Sequence, residues 1–250
     1  MNTKIVLGTA AARGLEQTPL MLDMAQIGKL LVCADDTKAR HGALRQIVRG
    51  NRIDENGNPT TKNHLAFRRG STIWHVRDAA DATGARWRII NAKNPDSITE
   101  FLDDLTGEYD RRTALASMDG LTEEDALFVV INNLGDIVRV IDRCETQGLL
   151  QCFGPGDTDY PAHGIYLIAG LDIDTLGFLG KKRFQLYNCL DHFSVAMMVG
   201  DELTGDKKRT VCDFFGERVG TMIADGTATQ NAGFLIDFIN HPTPFVYQAR

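Results

Sequence analysis

Residues 29–45, KLLVCADDTKARHGALR, run from an apolar strand-like segment through a polar stretch into the start of a helix. A nucleotide-binding protein holds the phosphates of its ligand at such a junction. The working pattern there is G-x-x-x-x-G-K-[ST]. Its glycines let backbone N–H groups converge on phosphate oxygens, its lysine neutralises the terminal phosphates, and its hydroxyl ligates magnesium. With KLLV as the strand, a loop of that kind starts at Ala34, and Ala39, Arg40 and His41 fall on the second glycine, the lysine and the hydroxyl. Asp35 and Asp36 lie inside the would-be cradle. A carboxylate about 4 Å from a phosphate oxygen, at an effective dielectric near 20, costs on the order of 4 kcal/mol per charge pair. Arginine keeps the positive charge but is bulky and planar where a compact ammonium is wanted. Gly-Lys occurs elsewhere only at Gly28-Lys29 and Gly180-Lys181, neither with a glycine five residues upstream. Taken alone, the stretch equally fits an ordinary strand-to-helix turn.

The second candidate is LFVVINNLGD at 127–136. An apolar strand ending in two acids is where nucleoside triphosphatases hold magnesium and activate water. Here the strand ends in Asn132-Asn133, uncharged amides that neither attract Mg2+ strongly nor act as a general base. A third stretch, GEYDRRTALASM at 107–118, places Arg111 and Arg112 late on a helix. They form either a solvated face partnered by Glu108 and Asp110 or a pair presented to a neighbouring subunit. DIDTLG at 172–177 spaces two carboxylates as a calcium loop does but lacks the remaining ligands. The six histidines form no H-x-x-x-H pair, and no metal site or bound cofactor is expected.

Apolar segments alternating with helical patterns predict an α/β protein with a mainly parallel sheet. The expected strands are 19–24, 29–34, 71–76, 86–90, 126–131, 164–169 and 192–199. The 126–131 run is apolar throughout, as suits a central strand covered on both faces. One helix opens at Asn94-Pro95 and carries Ile98, Phe101, Leu102, Leu105 and Tyr109 on one stripe. A second is expected from Asp136 to Gln147, with Ile137, Ile141 and Cys144 on one face and Gly148 at its end. Residues 50–64 read as a polar surface loop. No stretch resembles an interdomain linker, so one domain over 1–250 is expected.

Bulk properties narrow the function classes. A net charge of −6 without a basic block argues against nucleic-acid binding. No apolar run approaches the roughly 20 residues a transmembrane helix needs, and the start does not read as a secretion signal. The five cysteines are odd in number, form no C-x-x-C, and read as buried free thiols.

Together these segments resemble the FtsK/SpoIIIE-type ATPase modules, most closely those of the type VII secretion coupling proteins EssC and EccC. The residues that carry the resemblance span nearly the whole chain, in order. They are the lead-in with Leu7-Gly8, Gln17, Pro19, Leu20, Asp23 and Gly28, the EYDRRTALA helix, HGIYLIAG at 163–170, FSVAMMVGD with Gly200-Asp201, and the closing NAGFLIDFINHPTPFVYQAR with Tyr247-Gln248. The resemblance implies a RecA-like, P-loop-type α/β fold with added antiparallel strands. It also implies a degenerate C-terminal module that lacks both nucleotide motifs, and a degenerate pocket at Asp35, Asp36, Arg40, His41, Asn132 and Asn133. The implied partners are small helical secreted proteins or their export signals, adjacent ATPase modules of the same chain, and copies of itself in a ring or stack. By the same resemblance the chain is expected to be a cytoplasmic fragment of a longer protein anchored in the bacterial membrane. The competing expectation is a weak or atypical ATPase in which Arg40 stands in for the lysine.

Overall fold

The computed structural model describes residues 4–10, 19–35, 37–49, 72–77, 83–84, 87–119, 126–141, 143–153, 159–173, 192–193, 195–199, 203, 205–226, 232–237 and 243–246. The chain opens with β1 (Lys4–Ala10), β2 (Pro19–Asp23), a single turn α1 (Met24–Ile27), β3 (Lys29–Ala34) and α2 (Thr37–Arg49). It continues through β4 (Thr72–Arg77), β5 (Thr83–Gly84), β6 (Trp87–Asn91), the long α3 (Pro95–Asp119) and β7 (Leu127–Ile131). The second half holds α4 (Leu134–Val140), α5 (Arg143–Gln151), a 3-10 turn (Pro161–His163), β8 (Ile165–Asp172) and β9 (Val195–Val199). It closes with α6 (Gly205–Phe215), α7 (Glu217–Gly226), β10 (Ala232–Asp237) and β11 (Thr243–Val246).

Among the described residues the strands form one sheet in the order β2-β1-β11-β10-β9-β3-β8-β7-β4-β6-β5. Its centre, β9 through β6, is parallel. β10, β11, β1 and β2 extend it antiparallel on one side, and β5 on the other. The expected α/β class, mainly parallel with added antiparallel strands, is the one observed.

Side chains alternate across a strand, so odd and even positions face opposite layers. Leu31, Cys33, Leu127, Val129, Ile131, Leu167, Ala169 and Leu171 pack with residues of α3, α4, α5, α6 and α7. Leu30, Val32, Ala34, Phe128, Val130, Tyr166 and Ile168 pack with α1, α2 and β1. Burial on both faces explains why β3, β7 and β8 read as unbroken apolar runs.

Several expectations shift at their edges. β2 stops at Asp23, whose carboxylate accepts the Ala25 N–H at 3.1 Å and caps α1. β8 continues to Asp172, three residues past the expected end, while β9 starts only at Val195. α3 begins as expected, with Asn94 Oδ1 accepting the Asp96 N–H at 3.0 Å. The single helix expected over 136–147 is two, because Ile141 is extended (φ −101°, ψ 161°) after a run of poorly helix-forming branched residues. Gly148 therefore lies inside α5 rather than ending a helix. β10 and β11 were not among the strands expected from the apolar pattern, although the resemblance implied a closing strand ending at Tyr247-Gln248, two residues outside those described. Pro244 argues against a strand in β11, but it lies just beyond the β1 pairing, which ends at Phe245. Cys33 and Cys212 are buried free thiols and Cys152 is partly buried, while the side chains of Cys144 and Cys189 fall outside the described residues, as do residues 50–64.

Candidate functional site

The parallel strands β3, β8 and β7 end side by side, and the crevice outside the carboxyl ends of such a sheet is where α/β proteins place ligands. α2 leads away from that edge with Arg40, Ala43, Leu44 and Ile47 at i, i+3, i+4 and i+7, a single stripe. All four are buried. Arg40 therefore points into the sheet and needs a partner there.

The partner is Asp172, the last residue of β8. Tyr166 and Ile168 face α2, so the period of two turns Gly170 and Asp172 the same way. Arg40 Nη1 forms an ion pair with Asp172 Oδ2. Thr37 Oγ1 donates to that same oxygen at 2.8 Å. Arg40 is 3% exposed and Asp172 2%. Burial lowers the Arg40 pKa, and the charges of Asp172 and Asp136 oppose it. A guanidinium starts so high that it stays charged. Gly170 makes the contact possible: a Cβ there would lie 2.3 Å from the Asn132 carbonyl oxygen, 2.8 Å from Arg40 Cδ and 2.9 Å from Leu44 Cδ1.

His41 and Asn132 complete the edge. His41 Nε2 lies 2.9 Å from Asn132 Nδ2 and 3.2 Å from Arg40 Nη2. A guanidinium only donates, so Nε2 accepts and the ring proton sits on Nδ1. Asn133 is a helix cap: its Oδ1 accepts the Gly135 N–H at 3.0 Å, and its backbone oxygen accepts the Asp136 N–H at 3.0 Å.

The expected loop from Ala34 is corrected. β3 ends at Ala34 and α2 begins at Thr37, so Ala39, Arg40 and His41 are already helical. Asp35 is buried; its N–H donates to Val199 O at 3.2 Å and its carboxylate lies 4.0 Å from Lys207 Nζ on α6. Asp36 falls outside the described residues. Arg40 is ion-paired to Asp172 within the chain, α2 begins three residues after the end of β3, and β7 is followed by two amides, Asn132 and Asn133.

The arginine pair divides. Arg111 is exposed and bidentate to Glu108, through Nε and Nη2 at 2.8 Å each. Arg112 is buried; it holds Glu108 at 2.6 Å and donates from Nη1 to His163 O at 3.0 Å, fastening α3 to the turn before β8. Glu108 was the expected partner, but Arg112 is not presented outward. Asp172, Thr37 and Gly170 were missing from the expected site. The signal was there: a charge at 40 heads the 40-43-44-47 stripe and demands a counter-charge on the facing layer.

No protein-family model matches the chain, and no curated protein does. Solved structures do. The cytoplasmic domain of EssC matches with a TM-score of 0.59 at 8% identity, over all of this chain and 43% of that one. EccC from Thermomonospora curvata (ATPases 2 and 3), solved in complex with a signal sequence peptide, matches at 0.56 and 15%, over all of this chain and 41% of that one. The pCW3 conjugation coupling protein TcpA, a monomer with ATPγS, matches at 0.54 and 12%, over 66% of its length. The chain thus spans less than half the length of those EssC and EccC structures. Its fold is the RecA-like fold of the ATPase domains of these secretion and conjugation coupling proteins.

Proposed function

We propose that the chain is a non-hydrolysing module of a type VII secretion coupling protein, which recognises secreted substrates or regulates neighbouring ATPase modules. The observation that carries this reading is the convergence of Thr37 and the buried Arg40 on one oxygen of Asp172. The cation positioned for a terminal phosphate already holds an anion. The amides at 132–133 add to it, one bonded to His41 and the other capping α4. The partners are export signals of small helical secreted proteins and adjacent modules of one longer chain. That parent is anchored in a bacterial membrane, with this module on the cytoplasmic side. The signal sequence peptide bound to EccC supports the substrate part of the reading.

The test is isothermal titration with Mg-ATP. The expected result is no saturable heat at millimolar nucleotide. A saturable isotherm, or ATP turnover that is lost in Arg40→Met, overturns the reading. Co-purification with small helical secreted proteins tests the substrate part. Capture by the chain alone supports recognition, and capture only with a neighbouring module present points to assembly instead.

A further inference from the structure

Asp172 accepts the Arg40 ion pair and the Thr37 hydroxyl on a single oxygen, the way a bound oxyanion would. We infer that the corner is an oxyanion receptor occupied in cis by the chain's own carboxylate, so that Asp172 is an autoinhibitory group. This rests on the reading above, since it concerns the same corner, but it adds a distinct claim: Arg40 and Thr37 keep the capacity to take an anion once the carboxylate is gone.

Three observations support the receptor. Arg40 Nε, buried, has no hydrogen-bond partner among the described residues, so the guanidinium holds a donor in reserve. Its stem lies close over Gly170, where a Cβ would come within 2.8 Å of Arg40 Cδ, and the residue is 3% exposed. Thr37 is exposed, which puts the Asp172 carboxylate one side chain below the surface, within reach of a small ion. A buried guanidinium left alone is strongly disfavoured, and an oxyanion from solution answers that demand.

The experiment uses the 250-residue chain, its Asp172→Asn variant, and the Arg40→Met/Asp172→Asn pair, which lacks the cation. Thermal unfolding is followed in inorganic phosphate and in chloride at matched ionic strength. Phosphate stabilises most proteins generally, so the double variant sets the baseline. Asp172→Asn is expected to gain about 3–5 °C beyond that baseline at phosphate tenfold above its Kd, and the unaltered chain no such excess. Equal phosphate responses in all three overturn the inference. If Asp172→Asn folds only in phosphate, the inference holds; if it folds in neither salt while the double variant folds in both, the inference fails. The nucleotide reading stands or falls separately, on whether the unaltered chain binds Mg-ATP.

Discussion

Both ends of the parallel strands bury a cation, and the two ends treat it differently. At the amino end, Lys29 opens β3 and donates its ammonium to the Leu150 carbonyl at 2.8 Å, while Arg112 reaches the His163 carbonyl. Backbones crowd there. Gly28 has φ +68°, and a Cβ on it would lie 2.6 Å from Phe153 O. Tyr160 packs between Tyr109 and Phe153, with ring centroids 4.9 and 5.1 Å away. At the carboxyl end, Arg40 meets a full negative charge that is as buried as itself. Lys29 ends on a carbonyl dipole and Arg112 on a carbonyl and the partly exposed Glu108, and both tie connections to the sheet. Arg40 instead ends on a buried carboxylate, so the charge at this corner is balanced within the chain.

The largest effect should come from Arg40→Met. It leaves the buried Asp172 without its guanidinium, at a cost of about 3–5 kcal/mol, measured by denaturant unfolding. Gly170→Ala comes next. Its methyl would displace Arg40 and press on the Asn132 carbonyl, for about 1–3 kcal/mol by the same measurement. At the opposite end Lys29→Met should cost only about 1 kcal/mol. Burial already lowers the Lys29 pKa, with Cys152 opposing, and only a neutral carbonyl loses its donor. A Lys29 cost equal to that of Arg40 would erase the contrast between the ends.

The smallest effect is at Glu108. Burial raises its pKa, but hydrogen bonds and charge from Arg111 and Arg112 outweigh this and bring it below the ordinary 4.5. A depressed carboxyl stabilises the fold fully above that ordinary value and loses the contribution as pH falls through the lower one. The stability gap between the unaltered chain and Glu108→Gln should be on the order of 1 kcal/mol or less at neutral pH and vanish in stronger acid.

Much of the frame was legible in the sequence. β3 was legible to the residue, because Lys29 and five apolar positions follow a glycine, and α3 was legible from Asn94-Pro95 and its stripe. The corner was legible only in part. Aligning Arg40 to a phosphate-loop lysine placed it on a loop, whereas its helical spacing from Ala43, Leu44 and Ile47 turns it inward. Asp172 was hidden by distance, since its contact with Thr37 joins residues 135 apart. Ending β8 at 169 also concealed the alternation that aims Asp172 at α2. The capping role of Asn133 was not legible, because a strand end and a helix cap share one place in the chain.

The most direct test is a double-mutant cycle on Arg40→Met and Asp172→Asn, with stability measured in chloride. If the guanidinium is committed to that carboxylate, the single losses will exceed the double loss by a coupling of about 2 kcal/mol or more. Additive losses, within about 0.5 kcal/mol, would mean the two groups do not hold each other and would contradict the account.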